Sequence, residues 1–419
     1  MKFFVSYFGC RSNQAEIQDW VVELENEGFE LTTTLSEAQF AILNTCSVTE
    51  KAEKDVFKYI EKNYKKTNIP WYIAGCSISN NKDYLSEKYH QYRFLDNNEK
   101  TDIVQVILQD FSTDNRIIYH SSFRSRKFLK IQDGCNHRCA FCIVPSLRGK
   151  SRSLSLDDIK RRATYFASLG YKEIVLTGIN LSSYGYDIFP RINLLHVIEM
   201  LQKIRGIRFI RLSSLDPRYL DYQFIKGLAG FDKLCQSFYF SFQSGSNSVL
   251  RRMNRNSKTH DYLKIIEDFL KFYPDANYGS DFIVGFPGET DREFMETVDF
   301  IEKSRLNYLH IFPFSIRPGT KAAEMEDQVA SHVKRRRVQD LKEINRGVKF
   351  RYREKFIDKI VTGIITEEKT DYSLAVTSNY LSVRVPASKG YKKRKIHIRI
   401  TNFINDNLCE GIVVRSPKK

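Results

Sequence analysis

Between Phe128 and Lys321 the chain repeats one pattern six times: a short apolar run of strand character, then a polar or glycine-rich end. The runs are KFLKIQ, EIVLTGI, RFIRLSSL, SFYFSFQ, SDFIVGF and YLHIFPF, most of them separated by segments of helical composition such as Ser155–Leu169 and Asn193–Ile204. Serial β/α units have few ways to bury both faces of a parallel sheet. Six in a row predict a parallel barrel, complete or partial, whose active site lies at the C-terminal ends of its strands. The polar ends TGIN (177–180), SSLDP (213–217), QSGS (243–246) and GFPGET (285–290) fall there. Each alone is weak evidence, because turns after strands are rich in Gly and Ser in any case.

The first hundred residues carry a shorter alternation. KFFVSYFGC, AQFAILNTC and IPWYIAGC end on Cys10, Cys46 and Cys76, and Asn13–Gly28 and Val48–Lys66 between them have helical length and composition. The pattern predicts β-α-β-α-β with a parallel sheet. Ligands of such sheets gather beyond the carboxyl ends of the strands, where three cysteines would converge on one site. Thiols so far apart make no local motif, and packing as small apolar residues stays open as the alternative.

A second set of thiols is local. DGCNHRCAFCIVP at 133–145 places Cys135, Cys139 and Cys142 in a C-x3-C-x2-C array. A structural zinc site needs four Cys or His ligands, usually built from C-x2-C pairs. His137 is the only local fourth ligand, and it lies on the same tight loop, where closing a tetrahedron is awkward. Three thiolates without a fourth suit a 4Fe–4S cluster, held iron by iron by cysteines, with one iron left open for chemistry. The N-terminus turns polar after a short strand-like run and no apolar stretch reaches about 18 residues, so neither a signal peptide nor a membrane span is expected. The expected location is cytoplasmic, a reducing compartment in which the chain's eight cysteines favour metal or redox chemistry over disulfides. Cys235 and Cys409 lie in apolar-rich segments and read as packing.

Charge is concentrated at one end. Residues 332–419 hold 22 Lys and Arg against 9 Asp and Glu, whereas residues 1–331 hold 44 against 41. A single-sign field confined to one module is the footprint of a polyanion-binding surface, with nucleic acid the leading partner. The segment opens with a basic helix candidate, His332–Lys355. It continues as short alternating strands, KIVTGIITEE, YSLAVTS, YLSVRVPA, KIHIRITNFI and LCEGIVVRS, which predict a small β-barrel of the kind that binds single-stranded nucleic acid.

With the C-x3-C-x2-C loop at the first strand of a β/α barrel, the central region resembles the radical S-adenosylmethionine superfamily. Three cysteines in an N-terminal α/β domain, the radical barrel and a small C-terminal β domain together resemble the methylthiotransferases over nearly the whole chain. GCRSNQAE at 9–16, NTCSVTEKAEKD at 44–55 and AGC at 74–76 are similar to that family's N-terminal segments, and the β module looks like its RNA-binding TRAM domain. The resemblance implies a methylthiotransferase α/β domain over 1–113, a linker over 114–127, a partial (β/α)6 radical barrel over 128–331, a basic helical connector over 332–352 and a TRAM domain over 353–419. It implies two 4Fe–4S clusters. Cys135, Cys139 and Cys142 would hold one, its open iron taken by the amino and carboxylate groups of S-adenosylmethionine, and Cys10, Cys46 and Cys76 the other. In the cofactor pocket Gly178 would let the backbone approach the methionyl part, while Asn180, Ser213 and Gln243 would meet polar atoms.

Three branches of the family differ in substrate: threonylcarbamoyladenosine in tRNA, isopentenyladenosine in tRNA, and an aspartate of a ribosomal protein. LTGINLSSYG, RLSSLDP, FQSGSNSVLRRMNR and FPFSIRPGTKAA look closest to the first, which implies addition of a 2-methylthio group to N6-threonylcarbamoyladenosine beside the anticodon. GCSIS at the third cysteine and FSFQSGS in the run before QSGS depart from relatives. The enzyme is expected to act as a monomer on the tRNA anticodon stem-loop, with an electron donor of the flavodoxin or ferredoxin type and with Lys392, Lys393, Arg394 and Lys395 facing phosphates. A reading of another class is a non-catalytic iron–sulfur RNA-binding protein or redox sensor, which would release no deoxyadenosine from S-adenosylmethionine.

Overall fold

The computed structural model describes residues 1–112, 125–387, 390 and 394–414. The chain divides into two compact units. One comprises Met1–Phe123, Asp133–Lys150 and Ser315–Ala323; the other comprises Arg124–Gln132, Ser151–Phe314 and Glu324–Lys419.

In the first unit β1 (Lys2–Tyr7), α1 (Arg11–Asn26), β2 (Glu30–Thr32), β3 (Phe40–Thr45), α2 (Glu50–Tyr64), β4 (Trp71–Gly75), α3 (Lys82–Lys88), β5 (Tyr92–Leu95) and α4 (Ile103–Asp110) build a parallel sheet of order β2-β1-β3-β4-β5. Every residue of β3 is buried. Phe40 and Ile42 pack with Phe3, Trp20 and Tyr72, and the alternate residues Ala41 and Leu43 with Val56, Ile60 and Trp71. A parallel strand covered on both faces requires such an unbroken apolar run. The sheet is wider than the β-α-β-α-β pattern by a strand at each edge, because β2 and β5 have three and four residues, too few to show a period of two. The cysteine loop and the short helix after it, α5 (Val144–Arg148), belong to this unit.

The second unit begins with β6 (Arg126–Asp133), all but its last residue in this unit; the strand starts inside the stretch read as a linker, and residues 114–124 of that stretch lie outside the described residues. β7 (Arg152–Ser153), α6 (Leu156–Ser168), β8 (Glu173–Gly178), α7 (Leu194–Gln202), β9 (Phe209–Leu212), β10 (Ser214–Leu215), α8 (Tyr222–Leu228), β11 (Ser237–Gln243), α9 (Asn247–Arg252), α10 (Thr259–Phe272), β12 (Asn277–Val284), α11 (Asp291–Lys303) and β13 (Tyr308–Pro313) follow. The strands form two sheets, β7-β6-β8-β9 and β10-β11-β12-β13. The run RFIRLSSL is therefore two strands, broken at Ser213, whose N–H turns to the carbonyl of Leu176 (2.9 Å). Alternate side chains of β11, Phe238, Phe240 and Phe242, join Tyr262 and Phe269 of α10 in the core. Side-chain caps set helix starts: Ser155 accepts from Asp158 N–H, and Thr290 and Glu293 form a capping box.

The chain ends with the basic helix α12 (Ser331–Glu354) and with β14 (Ile360–Glu368), β15 (Tyr372–Thr377), β16 (Ser382–Pro386), β17 (Lys395–Asn405) and β18 (Leu408–Val414), a closed barrel of order β14-β15-β16-β18-β17. This barrel is part of the second compact unit. Arg211 of β9 pairs with Glu173 of β8 (2.7 Å) and donates to the carbonyls of Thr377 (3.0 Å) and Ser378 (3.1 Å). Ile364 of β14 packs on Phe209 and Cys235. Among the described residues no helix is long and apolar enough to cross a membrane.

Candidate functional site

Cys10, Cys46 and Cys76 follow the carboxyl ends of β1, β3 and β4, three adjacent strands of one parallel sheet. Cys10 is exposed and occupies the N-cap of α1; Cys46 and Cys76 are buried. Gly9, at φ 102°, makes the approach possible, since a Cβ there would lie 2.7 Å from Cys46 Sγ. The Cys46 thiol is pushed up to about 12, first by burial and then by the negative charge of its neighbours Cys10 and Cys76. Asn13 ties the site together. Its Nδ2 donates to the carbonyls of Phe8 (2.9 Å) and Thr45 (2.8 Å), and its Oδ1 accepts from the Cys10 thiol (3.8 Å). Asn97 Nδ2 lies 3.7 Å from Cys76 Sγ and 2.9 Å from the Leu147 carbonyl.

Cys135, Cys139 and Cys142 are half-buried on a loop closed by Cys135 N–H to Gly149 O (3.1 Å) and Cys142 N–H to Cys139 O (3.0 Å). The loop is bound into the first unit. Cys76 packs against Ile143 and Leu147. Arg148, buried at the end of α5, donates to Glu16 (3.0 Å), Asp133 (3.1 Å) and Asn13 Oδ1 (2.8 Å). Glu16 also pairs with Lys100 (2.9 Å) and accepts from Asn44 (2.8 Å). Burial opposes the charge of Arg148, yet Glu16, Cys76, Asp133 and Cys10 hold its guanidinium firmly protonated. Among the described residues no three His, Cys, Asp or Glu side chains converge to hold a single metal ion. The donor sets are all-thiol, two triads in one unit, which is the ligand chemistry of iron–sulfur clusters.

The barrel residues named from the sequence lie at strand ends in the second unit. The space a side chain would need at Gly178 is taken by Gln132, whose Oε1 would stand 2.8 Å from the added Cβ; the glycine makes room for that side chain. Gln132 Oε1 in turn accepts from Asn180 N–H (2.8 Å). Asn180 Oδ1 and Ser213 Oγ are buried with no hydrogen-bond partner among the described residues, and so are Thr177 Oγ1 and Ser214 Oγ. Each such group left unpaired costs roughly 1–3 kcal/mol; the four lie around the end of β8 and the break between β9 and β10. Gln243 ends β11 at φ 72°, a left-handed conformation uncommon for a residue with a side chain. These observations fit a cofactor with several polar atoms, as S-adenosylmethionine has.

The C-terminal basic loop is only partly described. Lys392 and Lys393 lie outside the described residues; Arg394 and Lys395 are exposed, and Lys395 Nζ sits 5.7 Å from the centre of the Phe209 ring. Cys235 and Cys409 are buried in apolar packing. Sequence reasoning missed Asn13, Glu16, Thr177, Ser214 and Arg148. Arg148 follows Cys142 by six residues, a proximity that signalled it.

Comparison with known proteins accords with this arrangement. The profile described as Radical SAM superfamily matches residues 129–301, and that described as Uncharacterized protein family UPF0004 matches residues 2–95. Threonylcarbamoyladenosine tRNA methylthiotransferase MtaB of Aquifex aeolicus is 30% identical over 94% of this chain and 98% of its own. The tRNA-2-methylthio-N(6)-dimethylallyladenosine synthase of Alkaliphilus oremlandii is 33% identical over 99% and 89%. The fold is similar to that of the radical S-adenosylmethionine methyltransferase TsrM of Kitasatospora setae, with a TM-score of 0.57 and 12% identity over 77% of each chain. Radical S-adenosylmethionine enzymes use a 4Fe–4S cluster and that cofactor, and methylthiotransferases carry two clusters. With relatives this similar over almost its entire length, the chain belongs to the radical S-adenosylmethionine methylthiotransferases.

Proposed function

We propose that the protein adds a 2-methylthio group to N6-threonylcarbamoyladenosine beside the anticodon of tRNA. The observation that carries the reading is the gathering of two cysteine triads in one compact unit, which supplies two cluster sites where radical generation alone would need one. The choice of nucleoside rests on the segments LTGINLSSYG, RLSSLDP, FQSGSNSVLRRMNR and FPFSIRPGTKAA and on the likeness to the Aquifex relative along its full length. The Alkaliphilus relative favours a second reading, isopentenyladenosine as substrate.

In this reading Cys135, Cys139 and Cys142 hold one cluster and Cys10, Cys46 and Cys76 the other. Asn180 and Ser213, joined by Thr177 and Ser214, bind and orient S-adenosylmethionine through their unmet hydrogen-bonding capacity, with Gln243 beside them at the end of β11. When bound, these groups supply reductive radical chemistry and the sulfur and methyl groups to be transferred. The basic segment from His332 onward grips phosphates, with Lys392, Lys393, Arg394 and Lys395 among its contacts, and its grip weakens steeply with salt. An electron donor of the flavodoxin or ferredoxin type and a monomeric enzyme complete the reading.

Nucleoside mass spectrometry of tRNA from a strain lacking the protein, before and after its return, tests the proposal. Loss and restoration of 2-methylthio-threonylcarbamoyladenosine is the expected result. Loss of the methylthio-isopentenyl nucleoside instead would move the enzyme to the second branch, and no change in either would overturn both readings.

A further inference from the structure

We propose that Arg148 is a positioning residue that sets the reduction potential of the cluster held by Cys10, Cys46 and Cys76. The inference rests on the reading that both triads hold clusters.

The guanidinium is fixed from three directions. Its side chain is 2% exposed and pairs with Glu16 of α1 and with Asp133 at the end of β6, while Nη2 donates to Asn13 Oδ1. That same oxygen accepts from the Cys10 thiol. One amide oxygen thus stands between a permanent positive charge and a ligand of the N-terminal triad. The helix that carries Arg148 also forms part of the wall against Cys76, through Leu147, with Ile143 just before it. A clamp that merely held the cysteine loop to α1 would need one ion pair and no bond to the amide oxygen that accepts from the Cys10 thiol. Here one side chain, six residues beyond Cys142, reaches the surroundings of Cys10 and Cys76 in a site shielded from water, where charges act on one another far more strongly than at a surface. Arg keeps its charge at any working pH.

Reducing a 4Fe–4S cluster adds one electron and neither makes nor breaks a bond in the protein. A fixed positive charge nearby stabilises the reduced form and raises the potential. The two carboxylates beside Arg148 act in the opposite sense, so the direction of each shift follows the charge removed.

The test is an anaerobic redox titration, read by electron paramagnetic resonance, of the reconstituted full-length protein carrying Cys135→Ala, Cys139→Ala and Cys142→Ala, so that only the N-terminal cluster reports. Arg148→Met is expected to lower the reduction equilibrium constant about tenfold, which is about 59 mV for one electron. Arg148→Lys should leave it within a fewfold of the parent, and Glu16→Gln should raise it. Superimposable titrations of the parent and Arg148→Met, or shifts of the same sign for Arg148→Met and Glu16→Gln, would overturn the proposal. If Arg148→Met fails to hold iron, Glu16→Gln decides: an upward shift upholds the proposal and its absence refutes it. A parent with almost no iron would refute the cluster reading itself, whereas one with about four irons per chain and unmoved potentials refutes only the role of Arg148.

Discussion

Arg211 is the strongest mechanical link between the radical barrel and the small β-barrel, and removing it should be costly. Its side chain and that of its partner Glu173 are 2% and 1% exposed. Arg211→Met leaves Glu173 charged and buried, with Arg126 4.0 Å away. Breaking one side of such a pair costs about 3–5 kcal/mol. The Ser378 carbonyl also loses the bond from Arg211, while that of Thr377 keeps the one from Tyr380 N–H (3.0 Å). At roughly 2–4 °C per kcal/mol for a large domain, the melting temperature should fall by about 6–20 °C. Differential scanning calorimetry of the full chain measures it. The double variant Arg211→Met, Glu173→Met removes both charges and should recover most of the loss, because a buried ion pair replaced by apolar groups of similar size is often neutral. A single variant within about 0.5 kcal/mol of wild type, or a double variant as unstable as the single, would refute this account of the junction. The same contact bears on any truncation: deleting the small barrel strips Ile364 from Phe209 and Cys235, so loss of function in a truncated chain reports damage to the radical barrel as well as any loss of the proposed phosphate grip.

Iron analysis after anaerobic reconstitution should find about eight irons per chain, four per cluster, and about four when either triad is replaced by alanine; four in the intact protein would remove the second site. Asp216 gives a pH dependence. Burial alone would raise its carboxyl, but bonds from Arg218 and the charge of Arg255 hold it below the usual range. A lowered folded value contributes stability that is present above the unfolded value, near 3.9, and is lost as pH falls through the folded one. Asp216→Asn should therefore be destabilised at pH 7, with a deficit that begins to shrink as pH falls below about 4 and closes only as pH passes through the lower folded value, as thermal melts across that range would show; a deficit independent of pH would contradict the assignment.

What was legible in the sequence is what short-range pattern encodes. AQFAILNTC reads as a strand because both its faces are buried, and KIHIRITNFI reads as a barrel strand because Ile396, Ile398 and Ile400 alternate into one core. Long-range pairing was not legible. Nothing near Glu16 announces that its partner is Arg148, 132 residues away, nor that the cysteine loop packs with the N-terminal sheet. The break at Ser213 was hidden because RFIRLSSL is continuous as a pattern and divides only where two sheets part. Arg211 did leave a trace, as a charged residue in mid-strand; its meaning depended on carbonyls 166 and 167 residues further on. At Gly178 a close approach was visible in the sequence, whereas Gln132 beside it was not.

The central claim is that one triad makes the radical and the other serves sulfur insertion. Deoxyadenosine released from S-adenosylmethionine by anaerobically reconstituted, dithionite-reduced protein tests it most directly, compared among wild type, Cys135→Ala and Cys46→Ala. The account predicts release by wild type and by Cys46→Ala, though the latter transfers no methylthio group to tRNA, and none by Cys135→Ala. No release from wild type, or equal loss in both variants, would contradict it.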